Sequence, residues 1–154
     1  MACFSRYGRG LISFNPKKPT GKFHFKIYML CCAYTNLVYK IRIHTKDGAD
    51  DAPSNMDGRL DDENDAMITK TEKLTMDMCR ILRGMGATVN MDNYYMSPIT
   101  AINLKDKGIF CRGTLRSSRK LVPKSIQFTS AETRDLPRGH CRYAVNTTHN
   151  MIAV

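Results

Sequence analysis

The residues best suited to chemistry lie between positions 87 and 124. A short apolar run, 87–91, delivers a single carboxylate, Asp92, at its end. Asn93, Tyr94 and Tyr95 follow, and then Ser97 and Pro98. A second strand-like run, 109–114, leads into the basic cluster Arg116, Arg119, Lys120 and Lys124. An acid at the end of a strand beside a basic loop suits metal-assisted chemistry on a polyanion. That chemistry needs several oxygen ligands, because hard divalent cations must be held a few ångströms apart against phosphate repulsion. Asp92 therefore needs partners, and the other acids are poor ones. Asp77 falls within a predicted helix, Asp106 sits beside a helix end, and the acids of 47–65 lie in a loop. Simpler roles compete. A strand-end aspartate caps a turn through its own side chain, and a basic run forms a solvated face. Tyr94 and Tyr95 either stack on bases or pack beneath the Asp92 turn.

The elements that must position these residues can be read from pattern. Residues 1–22, rich in Gly, Pro and Lys, read as basic loop. The runs 23–32 and 37–45 are β-rich and are separated by Tyr34, Thr35 and Asn36, which reads as a hairpin. Residues 46–66 form an acidic loop without periodicity. Helical spacing over 67–85 sets Leu74, Met78, Ile81 or Leu82, and Met85 on one apolar stripe, with Gly84 and Gly86 as stops. Residues 89–92 are too short for a helix and read as a buried strand. Ser97 suits an N-cap and Pro98 the first helical position, with the helix ending near Gly108. A strand over about 109–115, a basic loop, and two further strands at 141–147 and 151–154 complete the chain. A hairpin followed by alternating helices and strands implies a mixed sheet with helices on its faces. Asp92 then lies at the carboxyl end of a strand before a helix, the edge where open α/β sheets bind ligands.

Charge supports a polyanionic partner. Residues 47–65 hold eight of the fourteen acids and one base, Arg59, so the rest of the chain carries 23 of the 24 bases. A basic body with one acidic insert most simply meets nucleic acid. The six cysteines show no CxxC and no framework, so they read as free thiols of a reducing compartment, with Cys31 and Cys32 in a buried strand. No run is long enough to span a bilayer, and 1–10 lacks a signal-peptide apolar region. An intracellular protein is expected. His24, His44, His140 and His149 lack partner spacing and carry no assigned chemistry.

Several motifs, in order, resemble those of piggyBac-type transposases. Lys17-Lys18-Pro19, Lys22 and Phe25-Lys26 are similar to that family's KP-x-K-x-G-x-K region. Asp92-Asn93-Tyr94-Tyr95-Met96-Ser97 resembles its D-N-x-[YF]-[TS]-S motif. Gly113-Thr114-Leu115-Arg116-Ser117-Ser118-Arg119-Lys120, with Pro123 after it, resembles G-T-x-R-x-N-R. Arg138-Gly139 before a strand also fits. The similarity covers nearly the whole chain.

The resemblance implies an α/β, RNase H-like mixed sheet with flanking helices. It implies DNA as the partner, a nuclear location, and metal-dependent cleavage and strand transfer by three aspartates holding two Mg²⁺ or Mn²⁺ ions. Family members dimerise. Asp92 matches the second of the three aspartates. Met1 matches the methionine of a D-E-x-M motif, with Ser5-Arg6-Tyr7 after it, so the first acid would fall before the chain. The third belongs to a G-G-V-D motif beyond Val154. The expected organisation is therefore incomplete, lacking the first central strand and the C-terminal part. Residues 1–22 are a basic loop, 23–120 a partial core containing the acidic loop 46–66, and 121–154 the start of an inserted β-rich segment. With Asp92 as a remnant ligand, the expectation is an inactive fragment with no stably bound metal and weak, poorly cooperative folding. Its DNA contacts would come from Lys17, Lys18, Lys22, Arg116, Arg119, Lys120 and Lys124. The alternative is a non-catalytic basic protein derived from a transposase that binds DNA or RNA.

Overall fold

The computed structural model describes residues 8–45 and 69–154. The acidic loop, Ser5-Arg6-Tyr7, Cys3 and the first residues of the predicted 67–85 helix lie outside them. The chain divides into two compact units, Met1–Arg83 and Gly84–Val154.

The described part of the first unit holds two hairpins and a helix that runs into a 3₁₀ turn. β1 (Ile12–Phe14) pairs antiparallel with β2 (Phe23–Phe25) in the register Ile12↔Phe25 and Phe14↔Phe23. The rings of Phe14 and Phe23 meet at 4.9 Å. β1 corrects the expectation that 1–22 is loop throughout. Its short Ile-Ser-Phe alternation is hidden in sequence by the neighbouring Gly, Pro and Lys residues. β3 (Ile27–Cys31) and β4 (Val38–Ile43) form the predicted hairpin, with a register shift at Leu30/Cys31. One face of this hairpin is wholly apolar: Ile27 opposes Ile43 and Met29 opposes Ile41, all four half exposed. The other face carries Tyr28, Leu30, Lys40 and Arg42.

α1 (Lys70–Cys79) packs on β3. It starts with a capping box. The Thr69 hydroxyl accepts the Glu72 N–H, and the Glu72 carboxylate accepts the Thr69 N–H at 2.8 Å. Asp77 receives Lys40 Nζ at 3.0 Å and Arg42 Nη1 at 3.1 Å, which ties the polar face of the hairpin to the helix. The stripe prediction holds for Met78, with Leu74 and Leu82 half-buried, and fails at Ile81 and Met85. The helix tightens into a 3₁₀ turn at Arg80–Leu82, which shifts the phase and leaves Ile81 and Met85 exposed. Cys79 and Thr75 are buried in their place.

The second unit holds a β–α–β crossover. β5 (Thr88–Met91) and β6 (Phe110–Gly113) pair in parallel, from Thr88↔Phe110 to Met91↔Gly113, and α2 (Pro98–Asp106) connects them. Ser97 Oγ accepts the Thr100 N–H at 3.0 Å, the predicted cap. At the other end Gly108, at φ +71°, lets its own N–H reach Lys105 O and the Ile109 N–H reach Leu104 O. Val89, Ala101, Leu104 and Ile109 form this unit's buried core. After a 3₁₀ turn (Lys124–Ile126) and the short α3 (Glu132–Asp135), β7 (Ala144–Asn146) and β8 (Met151–Ala153) close an antiparallel hairpin.

The fold is thus mixed α/β, as expected, but the expected mixed sheet is not formed among the described residues. The strands pair two by two, as three antiparallel hairpins and one parallel pair. No helix among them is long and apolar enough to cross a membrane.

Candidate nucleic-acid interface and Asp92 turn

Asp92 follows β5 directly and stands at the carboxyl edge of the parallel pair, where the sequence reading sets it. It is exposed. Its Oδ1 accepts the Tyr94 N–H at 2.8 Å, and its backbone carbonyl accepts the N–H groups of Met96 at 3.0 Å and Tyr95 at 3.3 Å. The turn-capping role weighed for Asp92 is therefore real, and it uses one of the two carboxylate oxygens. Oδ2 takes no bond among the described residues. Tyr94 and Tyr95 stand edge to face at 4.9 Å, with Tyr94 partly exposed.

The basic loop after β6 leaves from the same edge and returns to this turn. Arg116 Nη2 donates to Asn93 Oδ1 at 3.1 Å. Arg119 Nη2 donates to the carbonyls of Asn93 at 3.3 Å and Tyr94 at 3.0 Å. Arg119 is half-buried, whereas Arg116, Lys120 and Lys124 are exposed. Gly113 makes the close approach possible. A Cβ there would stand 2.9 Å from the Met91 carbonyl carbon and nearer still to its oxygen. One pair earlier, Arg112 Nε donates to Asn90 Oδ1, another tie between the two strands.

Lys17, Lys18 and Lys22 lie in the first unit. Lys17 and Lys18 occupy the β1–β2 connection, closed by Asn15 N–H to Lys22 O at 2.8 Å, and all three are exposed. The structure therefore gathers Asp92, Arg116 and Arg119 at one turn and sets Lys120 and Lys124 on the loop that leaves it.

Among the described residues, no group of three or more His, Cys, Asp or Glu gathers as metal ligands. Asp77 is engaged with Lys40 and Arg42, and Asp106 is the last residue of α2. One carboxylate with one unbonded oxygen does not by itself fit a pair of hard divalent cations.

Two features escaped sequence reasoning. Arg119 points inward to backbone carbonyls, which the spacing of a basic run cannot signal. Cys32, read as strand core, is half-buried at the start of the hairpin turn, and its Sγ accepts the Thr35 N–H at 3.4 Å. Hydrogen bonds from the Thr35 hydroxyl, then from the Thr35 and Tyr34 N–H groups and the Tyr39 hydroxyl, lower its pKa to about 7. Cys31 and Cys141 are exposed, and Cys79 is buried.

The family model Transposase IS4 matches residues 9–154. Among solved structures, the chain is similar to piggyBac transposase in a cryo-EM synaptic complex with hairpin DNA. Identity is 19% and the TM-score 0.67, over 89% of this chain and 25% of that one. The chain thus spans about a quarter of the length of that transposase, and the likeness is one of fold.

Proposed function

This chain belongs to the Transposase IS4 family, and from that premise we propose that it is part of a piggyBac-like, RNase H-like catalytic core whose basic loop grips DNA. The observation that carries the reading is the shared edge. Asp92 follows β5 directly, and the loop holding Arg116, Lys120 and Lys124 leaves the paired end of β6. Both piggyBac-like motifs, 92–97 and 113–120, fall there. The fold likeness to a transposase solved with hairpin DNA supports the narrower assignment.

In such a core, divalent cations supply Lewis-acid activation of phosphate oxygens. Asp92 is the residue of this segment that would hold one, through Oδ2. On this reading the 154-residue chain alone neither retains the ions stably nor cuts DNA, because Asp92 is the one carboxylate that the described residues bring to this edge, and one carboxylate cannot hold two cations against phosphate. Incubating it with supercoiled DNA and Mg²⁺ or Mn²⁺ should leave the DNA intact, with wild type and Asp92→Ala alike. Robust nicking that disappears in Asp92→Ala would overturn this.

DNA binding should weaken as salt rises, since each phosphate contact releases counterions. Replacing Lys120 and Lys124 together by Gln should reduce the log–log salt slope by about two. Binding that ignores salt would sink the reading of the basic loop.

A further inference from the structure

We infer that Arg119 is a positioning residue that fixes the Asp92 turn, and that the phosphate contacts of the loop belong to Lys120 and Lys124. The role of the turn in binding a cation rests on the function proposed above; the brace itself rests on geometry alone.

An arginine that clamps phosphate offers two parallel N–H groups from one edge of its fork. In Arg119 the Nε–Nη2 edge is spent. Nη2 donates to two carbonyls, and Nε is buried without a partner among the described residues. That edge has no paired donors left for a phosphate.

The carbonyls that Arg119 bonds belong to the turn itself. Within residues 92–96 the carbonyl of Asp92 takes two N–H groups, and its side chain takes a third. The carbonyls of Asn93 and Tyr94 are bonded from outside the turn, by Arg119. Arg119 bridges them through Nη2, and Arg116 adds a second tie through the Asn93 side chain. These bonds cross about 25 residues of sequence and extend the contact between the two strand ends beyond the last ladder pair, Met91↔Gly113. The turn that aims Asp92 Oδ2 outward is thereby held from the side of the basic loop. Lys120 and Lys124 are exposed on the same loop and have no side-chain partner among the described residues, so their ammonium groups are the ones free for phosphate.

The test combines amide exchange, side-chain resonances and salt-dependent binding of a short DNA duplex, all on the full chain. Arg119→Lys keeps the charge but loses the fork. It should speed exchange of the Tyr94 and Met96 amides by about tenfold, leave those of Leu104 and Ile109 unchanged, and leave the salt slope unchanged. Lys120→Gln should do the reverse, lowering the slope by about one and leaving the turn amides alone. In the wild-type chain, the Arg119 Nε–H resonance should exchange slowly and stay unshifted when DNA is added. This measurement holds even if the variant fails to fold. The inference is overturned if Arg119→Gln lowers the slope by about one while the turn amides exchange as in wild type. A fast-exchanging or DNA-shifted Nε–H overturns it as well. Should the chain bind no DNA, the functional reading fails, and the exchange measurements still decide the brace.

Discussion

Cysteine chemistry at Cys32 follows from a turn too local to be visible in composition. The run 23–32 reads as strand with Cys31 and Cys32 buried, yet the ladder shifts register at Leu30/Cys31 and its last pair is Cys31↔Val38, which leaves Cys32 at the start of the hairpin turn. There the Thr35 hydroxyl and the N–H groups of Thr35 and Tyr34 favour the thiolate, the state that reacts. The same pairing raises the pKa of Tyr39. Cys111, on β6, has its thiol pushed up by burial. A lowered pKa means the reactive form persists to lower pH, so alkylation of Cys32 by iodoacetamide should rise through a midpoint near pH 7. Cys111 should stay slow there and gain only at higher pH. Peptide-resolved mass spectrometry across pH separates the two. Thr35→Val should move the Cys32 midpoint upward, and a midpoint that did not move would remove the hydroxyl as the main cause.

The β5–α2–β6 crossover is the element pair that sequence made most legible, for local reasons. Ser97-Pro98 and Gly108 each state a helix end through their own chemistry, and both act as read. Asp92 at a strand end needed only the short apolar run before it. What the chain did not declare is the coupling between elements separated in sequence. Asp77 looked like a stray acid on an apolar stripe until β4 brought Lys40 and Arg42 to it. The inward turn of Arg119 is likewise set by a partner 25 residues away. Gly113 shows how tight such coupling is. It reads as part of a basic motif, yet its lack of a side chain is what allows Met91 to come alongside. Gly113→Ala must push the strands apart at their carboxyl end, a cost of about 1–3 kcal/mol by analogy with overpacked cores. Urea unfolding should show that loss as a lower midpoint, and faster exchange at Tyr94 should accompany it. An alanine variant as stable as wild type would mean that the strand ends relax freely.

At the scale of the whole molecule, the balance between ladder and core decides how the chain unfolds. Each described strand has a single neighbour, and isolated two-stranded sheets are marginal in water without a packed face. The packed faces are small. Among the described residues, Tyr28, Met78 and Cys79 are the buried apolar residues of the first unit, and Val89, Ala101, Leu104 and Ile109 those of the second. Meanwhile Ile27, Met29, Ile41 and Ile43 spread half-exposed across one face of the β3–β4 hairpin. Solvated apolar area contributes nothing to stability, and unpaired strand edges favour association. The purified 154-residue chain should therefore unfold over a broad temperature range. Its calorimetric enthalpy should exceed the van't Hoff value, the sign that no single cooperative step spans the molecule. Near-equal enthalpies with a sharp, concentration-independent midpoint would refute this, because they require one core shared throughout the chain.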